Sequence, residues 1–352
     1  MAKGLYIHVP FCVRKCRYCD FYSVTELSLT EDYTRAVVRN IGAVRDTFDT
    51  VYFGGGTPSL LTAEQLFRIL SAAEICGGAE VSMECNPNSV TDRYLKDIFC
   101  AGVNRLSFGV QSFNDTELRS LGRLHTAEEA VAAVYSAERA GFENISADLM
   151  LAVGGQTMKG LARSLETAAG LPLKHISAYM LKIEEGTPLS CDAEYYKTLP
   201  SEDDTADMYL YAVEYLADKG FEQYEISNFS KVGCECRHNL KYWRGEEYYG
   251  IGPAAHSFVD GERRYCPKNL QSFLTAETQE NVFLEYGGDA DERAMLTLRL
   301  TKEGLDLSEY PKAVKPAELL AKNGLLKNEN GFLKLTPKGC LVSNAIIASL
   351  TE

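Results

Sequence analysis

The alternation of apolar and polar positions divides most of the chain into short strands separated by amphipathic helices. Seven runs have the apolar or alternating pattern of β-strands. They are Leu5–Val9, Thr50–Gly54, Glu80–Cys85, Arg105–Val110, Asn144–Leu151, His175–Lys182 and Phe221–Ser227. Helical patterns fill most of the intervals, and one of them places Leu66, Ile69 and Leu70 on a single apolar face. Strand followed by helix, repeated at about thirty residues, is typical of a parallel α/β sheet.

Local signals mark where several of these helices begin and end. Capping boxes, in which a threonine side chain accepts a backbone N–H three residues later, begin two helices at Thr62 and Thr126. Gly102, Gly141 and Gly220 stand where a helix is predicted to end in a left-handed turn. The pattern therefore predicts an α/β fold, whose ligand site collects at the C-terminal ends of the strands.

Length and composition describe an ordinary globular protein. A chain of 352 residues is too long for one small core, so a large domain with a smaller one is expected. The first eleven residues contain no apolar segment of a signal peptide, and no apolar run approaches the length of a membrane span. Eleven cysteines, an odd number in a chain without an export signal, fit reduced thiols, which predicts a cytoplasmic protein.

The net charge of −13 argues against a nucleic-acid partner held by bulk electrostatics. No repeats or low-complexity tracts interrupt the chain. A local basic patch that binds nucleic acid stays an open alternative.

Three cysteines, Cys12, Cys16 and Cys19, follow the first predicted strand with the spacing C-x3-C-x2-C. Three thiolates on one tight loop can ligate three irons of a [4Fe–4S] cluster and leave the fourth iron open for chemistry. A structural zinc site would need a fourth ligand, and the next cysteine along the chain is Cys76. The spacing therefore favours an iron–sulfur cluster with an open iron.

With Tyr18 directly before its last cysteine, this motif resembles the signature of radical S-adenosylmethionine (SAM) proteins. The resemblance implies that the amino and carboxylate groups of SAM chelate the open iron. It also implies that one-electron reduction of the cluster releases a 5′-deoxyadenosyl radical from SAM. The fold class that it implies is α/β, with the parallel sheet closed into a partial (β/α)6 barrel.

Residues suited to ligand binding stand at the ends of the predicted strands. The run Gly54–Thr57 follows the second strand and offers backbone N–H groups with little side chain in the way. Glu84 and Gln111 lie at the ends of the third and fourth strands, and Asp148 is a carboxylate among apolar neighbours in the fifth. A carboxylate at a strand end is often simply solvated, whereas a buried one needs a partner or a ligand. These positions are candidates for cofactor contacts.

From about residue 5 to residue 260, these motifs resemble oxygen-independent coproporphyrinogen III oxidase and its relatives. The resemblance implies contacts to the cluster-bound SAM from three positions, Tyr6, Gly55 and Glu84. Six further positions match residues that contact a second SAM in the oxidase: Tyr18, Gly56, Thr57, Gln111, Arg123 and Asp148. The identity of these side chains does not decide whether this chain binds a second SAM.

Beyond the predicted barrel, the run His238-Asn-x-x-Tyr242-Trp243 resembles the mark of the haem-chaperone branch (HemW-type) of this family. An imidazole beside large aromatic rings can ligate haem iron and stack on a porphyrin, so His238, Tyr242 and Trp243 are candidate haem residues. The same residues also fit a packed aromatic corner in which the histidine only forms hydrogen bonds. Cys234 and Cys236 could offer thiolates, but C-x-C in a loop is a weak signal.

The resemblance implies two competing functions. The first is a haem chaperone that uses a [4Fe–4S] cluster and SAM, binds haem and passes it to an acceptor protein. The alternative is the oxidase, which converts two propionates of coproporphyrinogen III to vinyl groups by radical oxidative decarboxylation. Only five residues precede Tyr6, whereas the oxidase has a longer N-terminal segment that helps to form its substrate site, so the chaperone is favoured. A third possibility, a radical SAM enzyme acting on RNA or a small molecule, is disfavoured for RNA by the acidic charge.

The expected partners of a haem chaperone are haem, an acceptor protein and an electron donor for the cluster. Any membrane association is expected only through the acceptor. Whether the chain is also an enzyme stays open at this point.

The last part of the chain changes character. One helix is suggested by the spacing of Ala294, Met295, Leu298 and Leu300, and a second by Ala317–Asn323. The sequence around Asn330-Gly331 predicts a β-hairpin, and the two helices with this hairpin resemble a winged helix. This part carries as many acidic as basic side chains, so a packing or lid role is preferred to DNA binding. We predict a barrel domain over 1–235, a connecting segment over 236–288 and a small winged-helix-like domain over 289–352.

Overall fold

A computed structural model describes residues 2–351. Within that range the strands are β1 (Lys3–Val9), β2 (Thr47–Gly55), β3 (Glu74–Cys85), β4 (Arg105–Gln111), β5 (Asn144–Leu151), β6 (His175–Met180), β7 (Glu222–Glu225), β8 (Asn228–Ser230), β9 (Tyr248–Ile251), β10 (His256–Val259), β11 (Glu262–Tyr265), β12 (Val282–Tyr286), β13 (Leu305–Asp306), β14 (Leu326–Glu329) and β15 (Phe332–Leu335). The helices are α1 (Thr30–Ile41), α2 (Ala63–Ser71), α3 (Asp92–Cys100), α4 (Asp115–Leu121), α5 (Ala127–Ala140), α6 (Met158–Gly170), α7 (Ala193–Tyr196), α8 (Glu202–Asp218), α9 (Arg237–Trp243), α10 (Leu270–Thr275), α11 (Ala290–Thr297), α12 (Val314–Lys322), α13 (Pro337–Leu341) and α14 (Ser343–Thr351).

Strands β1 to β6 lie side by side in chain order, and every neighbouring pair among them is parallel. Helices α1 to α6 connect these strands. The six strands confirm the predicted runs, although β6 ends at Met180, two residues before the predicted Lys182. This arrangement is the predicted partial (β/α)6 barrel, in which each crossover buries an apolar helix face against the sheet.

The seventh predicted strand, Phe221–Ser227, does not extend as one unit. Only Glu222–Glu225 forms a strand, and the chain then reverses into β8, which pairs antiparallel with both β6 and β7. The carboxylate of Glu225 stabilises the reversal, because it accepts hydrogen bonds from the backbone N–H of Ser227, at 2.9 Å, and from the side chain of Asn228.

Strand β1 pairs with β2 on one side and with the much later strand β9 on the other. On the side opposite β2, strand β9 pairs with β1 in parallel, with Gly4 opposite Tyr248 and Ile7 opposite Ile251. Strands β10, β11 and β12 continue the sheet from β9 in antiparallel pairs. The segment 236–288 therefore extends the barrel sheet. The domain boundaries at 235 and 288 remain predictions.

The helix signals read from the sequence are present in the structure. In the α2 capping box, Thr62 Oγ1 accepts the N–H of Gln65 at 3.2 Å, and the Gln65 side chain accepts the N–H of Thr62 at 2.9 Å. Leu66 and Ile69 on that helix are fully buried, as the apolar spacing predicts. The predicted left-handed glycines are confirmed, with φ of 106° at Gly141 as one example.

The C-terminal region carries helices and a small antiparallel sheet in the order β13-β15-β14. Asn330 and Gly331 have φ of 57° and 92°, the left-handed pair that a two-residue hairpin favours. The helix predicted around Ala294 and Met295 is α11, which ends at Thr297, before Leu298 and Leu300. The helix predicted over Ala317–Asn323 is α12, which begins three residues earlier. Strand β13 and helices α13 and α14 were not predicted. Each helix in residues 2–351 is too short or not apolar enough to cross a membrane.

Candidate functional site

A cavity of about 410 Å³ lies on the inner face of strands β2 to β6. The cysteine loop after β1 contributes to its wall near the carboxyl ends of the strands, and Asn239 of α9 contributes to it as well. Eight of the nine predicted SAM residues line this cavity: Tyr18, Gly55, Gly56, Thr57, Glu84, Gln111, Arg123 and Asp148. The fold therefore gathers residues that are up to 130 positions apart in sequence around one space.

Cys12, Cys16 and Cys19 all line the cavity. The sulfur of Cys12 lies 3.6 Å from Thr57 Oγ1, and Arg123 Nη1 donates to the sulfur of Cys16 at 3.5 Å. Burial, with the other two thiols nearby, raises the pKa of Cys19 to about 11. These contacts place a hydroxyl and a guanidinium beside two of the three sulfurs.

The donor set fits a [4Fe–4S] cluster better than a single ion. Within residues 2–351, no three His, Cys, Asp or Glu side chains converge closely enough to hold one metal ion. In a cluster each thiolate ligates a separate iron, so the sulfurs need only surround a common space, as these three do. The cysteine loop and the cavity beside it are therefore suited to hold the cluster.

His8 fixes the position of the cysteine loop. Its Nε2 lies 2.9 Å from the backbone oxygen of Tyr22, and its Nδ1 lies 3.1 Å from the hydroxyl of Tyr6. A carbonyl can only accept, so Nε2 carries the proton and Nδ1 accepts from Tyr6. Burial lowers the pKa of His8, which keeps this neutral tautomer. Among the nine predicted SAM contacts, Tyr6 alone does not line the cavity.

The turn after β2 has room only for glycines. Gly55 has φ of 107°, and a Cβ atom there would lie 2.7 Å from the ring of His8. A Cβ atom on Gly56 would lie 2.6 Å from the backbone oxygen of Phe11. The bare backbone lets the N–H of Gly55 donate to Glu84 Oε2 at 3.2 Å. The turn and the carboxylate therefore form one polar unit at the cavity wall.

Two carboxylates face the cavity. Burial, and then the proximity of Asp148, raises the pKa of Glu84 to about 7, while the hydroxyl of Tyr52 donates to its Oε1 at 3.0 Å. Burial also raises the pKa of Asp148, which accepts a hydrogen bond from Ser107 Oγ at 3.1 Å. Near pH 7 Glu84 can hold a proton, and in their ionised forms both carboxylates can bind a cation such as an ammonium group.

The other predicted second-SAM residues also line the cavity. Arg123 Nη2 donates to the backbone oxygen of Gly109 and to Asn86 Oδ1, both at 2.6 Å, while its Nε is buried with no partner in residues 2–351. Gln111 ends β4 with φ of 66°, which turns its side chain back toward Gly109. Tyr18 packs against the small apolar cluster of Leu121, Met150 and Val153.

The sequence analysis missed a row of polar residues along the inner faces of the strands. On β4, Arg105, Ser107, Gly109 and Gln111 all line the cavity, while the alternate residues face the buried core. On β6, the corresponding cavity residues are His175, Ser177 and Tyr179. The signal was present in the sequence, because polar residues at every second position of an otherwise apolar strand mark one wet face. Tyr52 and Asn239 also line the cavity and were not predicted to do so.

The predicted haem residues divide into two groups. His238 is fully buried, with Nδ1 2.8 Å from the hydroxyl of Thr50 and Nε2 2.8 Å from the hydroxyl of Tyr242. Burial lowers the pKa of His238 to about 3, so the ring is neutral. Both ring nitrogens are engaged, and iron ligation by His238 requires one of these hydrogen bonds to break.

Trp243 lies apart from His238 and Tyr242. Its ring packs against Tyr224, Leu240 and Leu300, and the guanidinium of Arg299 lies 4.6 Å from the ring centre. Its Nε1 is buried without a hydrogen-bond partner among residues 2–351. Of the two nearby cysteines, Cys236 is buried and its sulfur lies 3.6 Å from a carboxylate oxygen of Glu80, which favours the protonated thiol.

Comparisons with known proteins agree with this architecture. Residues 6–168 match the Radical SAM superfamily. Over 97% of its length the chain is 34% identical to the heme chaperone HemW of Lactococcus lactis subsp. lactis, 95% of which is covered. It is also 33% identical to the heme chaperone HemW of Bacillus subtilis, with 99% of this chain and 98% of the relative aligned. The identity to the heme chaperone HemW of Mycobacterium tuberculosis is 35%, with 99% and 94% aligned.

The fold is similar to that of a solved radical SAM enzyme. The coproporphyrinogen III oxidase HemN of Escherichia coli superposes with a TM-score of 0.83, covering 99% of this chain and 90% of the oxidase. The sequence identity of that pair is 20%, so the match establishes a shared fold.

Proposed function

Because the chain belongs to the HemW-type haem-chaperone family of radical SAM proteins, we propose that it binds haem and transfers it to an acceptor protein. The observation that carries this proposal is the likeness to proteins named heme chaperone over nearly the whole length of both chains. The His-Asn-x-x-Tyr-Trp segment forms α9, which lies against the barrel and contributes Asn239 to the cavity wall. The segment therefore links a region outside the barrel to the candidate cofactor site.

Cys12, Cys16 and Cys19 would hold a [4Fe–4S] cluster, and SAM would bind beside it. The cluster would supply one-electron chemistry at its open iron. Glu84 and the Gly54–Thr57 turn would hold the amino-acid end of SAM, since a carboxylate pairs with an ammonium group and the turn exposes N–H donors. Tyr6 would act indirectly, because its hydroxyl orients His8 behind the turn.

The residues predicted to contact a second SAM form a polar part of the cavity wall around Arg123. Arg123 is the centre of this wall, because it bridges Cys16, Gly109 and Asn86. Gln111, Asp148, Tyr18, Gly56 and Thr57 complete it. These residues would either bind a second SAM molecule or position a tetrapyrrole relative to the cluster.

The haem would bind near α9. His238 would be the axial ligand if Tyr242 moves away from Nε2, because that nitrogen would then be free to face iron. His256 is a further candidate, since it is exposed and its ring stacks on Tyr265 with the ring centres 5.8 Å apart. The place of action would be the cytoplasm, with an electron donor for the cluster, no nucleic acid, and contact with a membrane only through the acceptor.

Anaerobic reconstitution of the cluster, followed by haem titration and a parallel assay on coproporphyrinogen III, tests this function. If the protein is a chaperone, it binds nearly one haem per chain and the complex has a stable Soret band. It releases no carbon dioxide from coproporphyrinogen III. Transfer is then measured by mixing the haem complex with apo haem proteins and following the Soret band of the acceptor.

The opposite result identifies the oxidase. If the reconstituted protein takes up no haem and releases carbon dioxide from coproporphyrinogen III in the presence of SAM and a reductant, the chaperone proposal is wrong. A variant with Cys16→Ala serves as the matched control, because it loses the cluster and therefore any SAM-dependent turnover, while α9 is unchanged.

A further inference from the structure

Arg105 is a buried cation without an ion pair. Its side chain is among the largest fully buried ones in the protein, with 2% of its surface exposed, and it lines the cavity. Its Nε has no hydrogen-bond partner among residues 2–351, and no carboxylate of that range lies within 4.0 Å of the guanidinium. A buried guanidinium normally binds a carboxylate or a row of oxygen acceptors, because the loss of hydration is otherwise uncompensated.

Glu80, a carboxylate whose charge acts on Arg105, accepts hydrogen bonds from other residues. Glu80 accepts hydrogen bonds from the backbone N–H groups of Arg237 and His238, at 3.1 Å and 3.2 Å, and from the hydroxyl of Ser82 at 3.2 Å. These donors occupy both oxygens of Glu80 and tie it to the first turn of α9. Glu80 thus stabilises the helix and leaves the guanidinium of Arg105 without a direct partner.

The other titratable neighbours of Arg105 also form no ion pair with it within residues 2–351. His175 is engaged at both ring nitrogens, by Ser146 Oγ at 2.7 Å and by the hydroxyl of Tyr224 at 2.8 Å. Burial and the charge of Arg105 lower the pKa of His175, so it is neutral. Glu84 and Asp148 stand in the same cavity, but each already accepts hydrogen bonds from other residues.

We propose that Arg105 is the anchor for a carboxylate group of a ligand that enters this cavity. The guanidinium offers a planar fork of N–H donors, which matches a carboxylate in two parallel hydrogen bonds. Ser107, on the same face of β4, and Asn239 would supply further donors. Arg105 is not among the residues predicted to bind the cluster or SAM.

The strand register gives the depth of this anchor. Arg105 pairs with Ser82, and Ser107 pairs with Glu84, so Arg105 lies two residues below the level of Glu84. Two residues of a strand span about 7 Å. The carboxylate would therefore be bound deeper in the barrel than the wall formed by Glu84 and Gly55.

Two ligands of the proposed function carry such a carboxylate: SAM, through its amino-acid end, and haem, through its propionates. The cluster-reconstituted protein is titrated with SAM and with decarboxylated SAM, and separately with haem and with haem dimethyl ester. The measured quantity is the ratio of affinities within each pair. The change of this ratio between the parent protein and an Arg105 variant reports the contact of Arg105 with the carboxylate, because all other contacts are the same in both proteins and cancel.

In each pair, the preference is the affinity for the ligand with the carboxylate divided by the affinity for the ligand without it. For the ligand that Arg105 anchors, Arg105→Met lowers this ratio by about 30-fold or more. Arg105→Lys keeps part of the preference, because it retains the charge but not the fork. The unliganded Arg105→Met protein unfolds at the same temperature as the parent or a higher one, since it no longer buries an unpaired charge.

The matched control is Arg263→Met. Arg263 is partly buried but forms an ion pair with Glu292 at 2.6 Å, outside the cavity. This variant should unfold at a lower temperature and keep both preferences. Loss of the preference in the SAM pair alone assigns the anchor to SAM, and loss in the haem pair alone assigns it to a propionate.

The proposal is overturned if Arg105→Met keeps the parent ratios in both pairs, or if the parent shows no preference in either. It is also overturned if Arg105→Met unfolds several degrees lower without ligand or does not fold, because the guanidinium would then be structural. Failure of the haem function is distinguishable: the parent then binds no haem, while the SAM pair still tests Arg105.

Discussion

The imidazole of His238 stacks on the phenol ring of Tyr52, with ring centres 5.3 Å apart and planes inclined by 23°. The hydroxyl of the same tyrosine donates to Glu84 at 3.0 Å. The motif that resembles haem chaperones therefore contacts, through one side chain, the carboxylate proposed to bind SAM. A substitution at His238 should therefore alter the properties of Glu84, and a substitution at Glu84 should alter those of His238.

Tyr52→Phe separates the two contacts, because it keeps the ring stack and removes the hydroxyl. We expect the pKa of Glu84 to rise further, since a hydrogen bond to its charged form is lost. SAM affinity at pH 7 should fall roughly fivefold, the equivalent of about 1 kcal/mol. Haem affinity should stay at the parent value, and calorimetric titration with both ligands checks the two outcomes. A loss of haem affinity with unchanged SAM affinity contradicts the role given to this hydroxyl.

Replacement of any one of Cys12, Cys16 and Cys19 by alanine should abolish the brown chromophore and the iron content of about four atoms per chain. The reason is that each thiolate holds a separate iron of the cluster. Iron analysis and the visible spectrum after anaerobic reconstitution provide the measurement. Cys100→Ala is the matched control, because this cysteine is exposed on α3 and does not line the cavity. Full iron content in the Cys16→Ala protein would rule out the assignment.

The raised pKa of Glu84, about 7, predicts the pH dependence of SAM binding. Below pH 7 the carboxyl is protonated and cannot pair with the ammonium group of SAM. Affinity should therefore increase with pH, by up to about tenfold per unit, and level off above pH 7. The electron paramagnetic resonance signal of the reduced cluster, titrated with SAM between pH 5.5 and 8.5, reports the binding.

Glu84→Gln should remove most of that pH dependence and weaken SAM binding at pH 8. It also changes stability in a direction that the pKa fixes. In the parent, the folded state holds a proton between the ordinary pKa of 4.5 and about 7, so the unliganded protein loses stability as pH rises through this window. The variant should show a smaller loss. An unchanged pH profile of both binding and unfolding would remove Glu84 from the site.

Thr50→Val and Tyr242→Phe test whether His238 ligates haem iron. Each variant removes one hydrogen bond of the imidazole and keeps the ring in place. If His238 is the axial ligand through Nε2, Tyr242→Phe should bind haem at least as tightly as the parent, because the competing hydrogen bond is absent. Thr50→Val, which frees only Nδ1, serves as the comparison. Soret titration measures both.

His238→Ala removes the imidazole and leaves the hydroxyls of Thr50 and Tyr242 without their partner. We expect a loss of about 2–4 kcal/mol in the free energy of unfolding, with the iron content retained. If His238 is the ligand, the Soret band of the haem complex shifts or disappears. An unchanged Soret band assigns His238 to packing and directs attention to His256, Cys234 and Cys236.

Much of the barrel could be predicted from the sequence, because its signals are local. The capping threonine at Thr62 and the left-handed Gly141 act within one helical turn, and the apolar or alternating pattern of β1 to β6 lies within each strand itself. The cysteine spacing is equally local. The cavity positions of Glu84 and Asp148 followed from a general rule, that ligand sites collect at the carboxyl ends of parallel strands.

The remaining features depend on contacts between distant residues. Nothing near Tyr52 in the sequence reveals that its ring meets His238, and nothing near Trp243 reveals that Arg299 covers its ring. The reversal after β7 depends on the carboxylate of Glu225 at a position that reads equally well as a continuing strand. Arg105 was within reach of sequence analysis, since it begins the polar face of β4.

The pairing of β1 with β9 joins Gly4 to Tyr248, two residues at opposite ends of the barrel sequence. A ribosome synthesises the chain from its N-terminus, so the outer edge of β1 waits for nearly all of the barrel to be made. During that interval its backbone N–H and C=O groups form an open edge that can pair with the wrong strand. A contact of such long range also slows folding, because a large loop must close first. The outer edge of β1 therefore stays open to wrong pairing until the chain as far as Tyr248 has been synthesised.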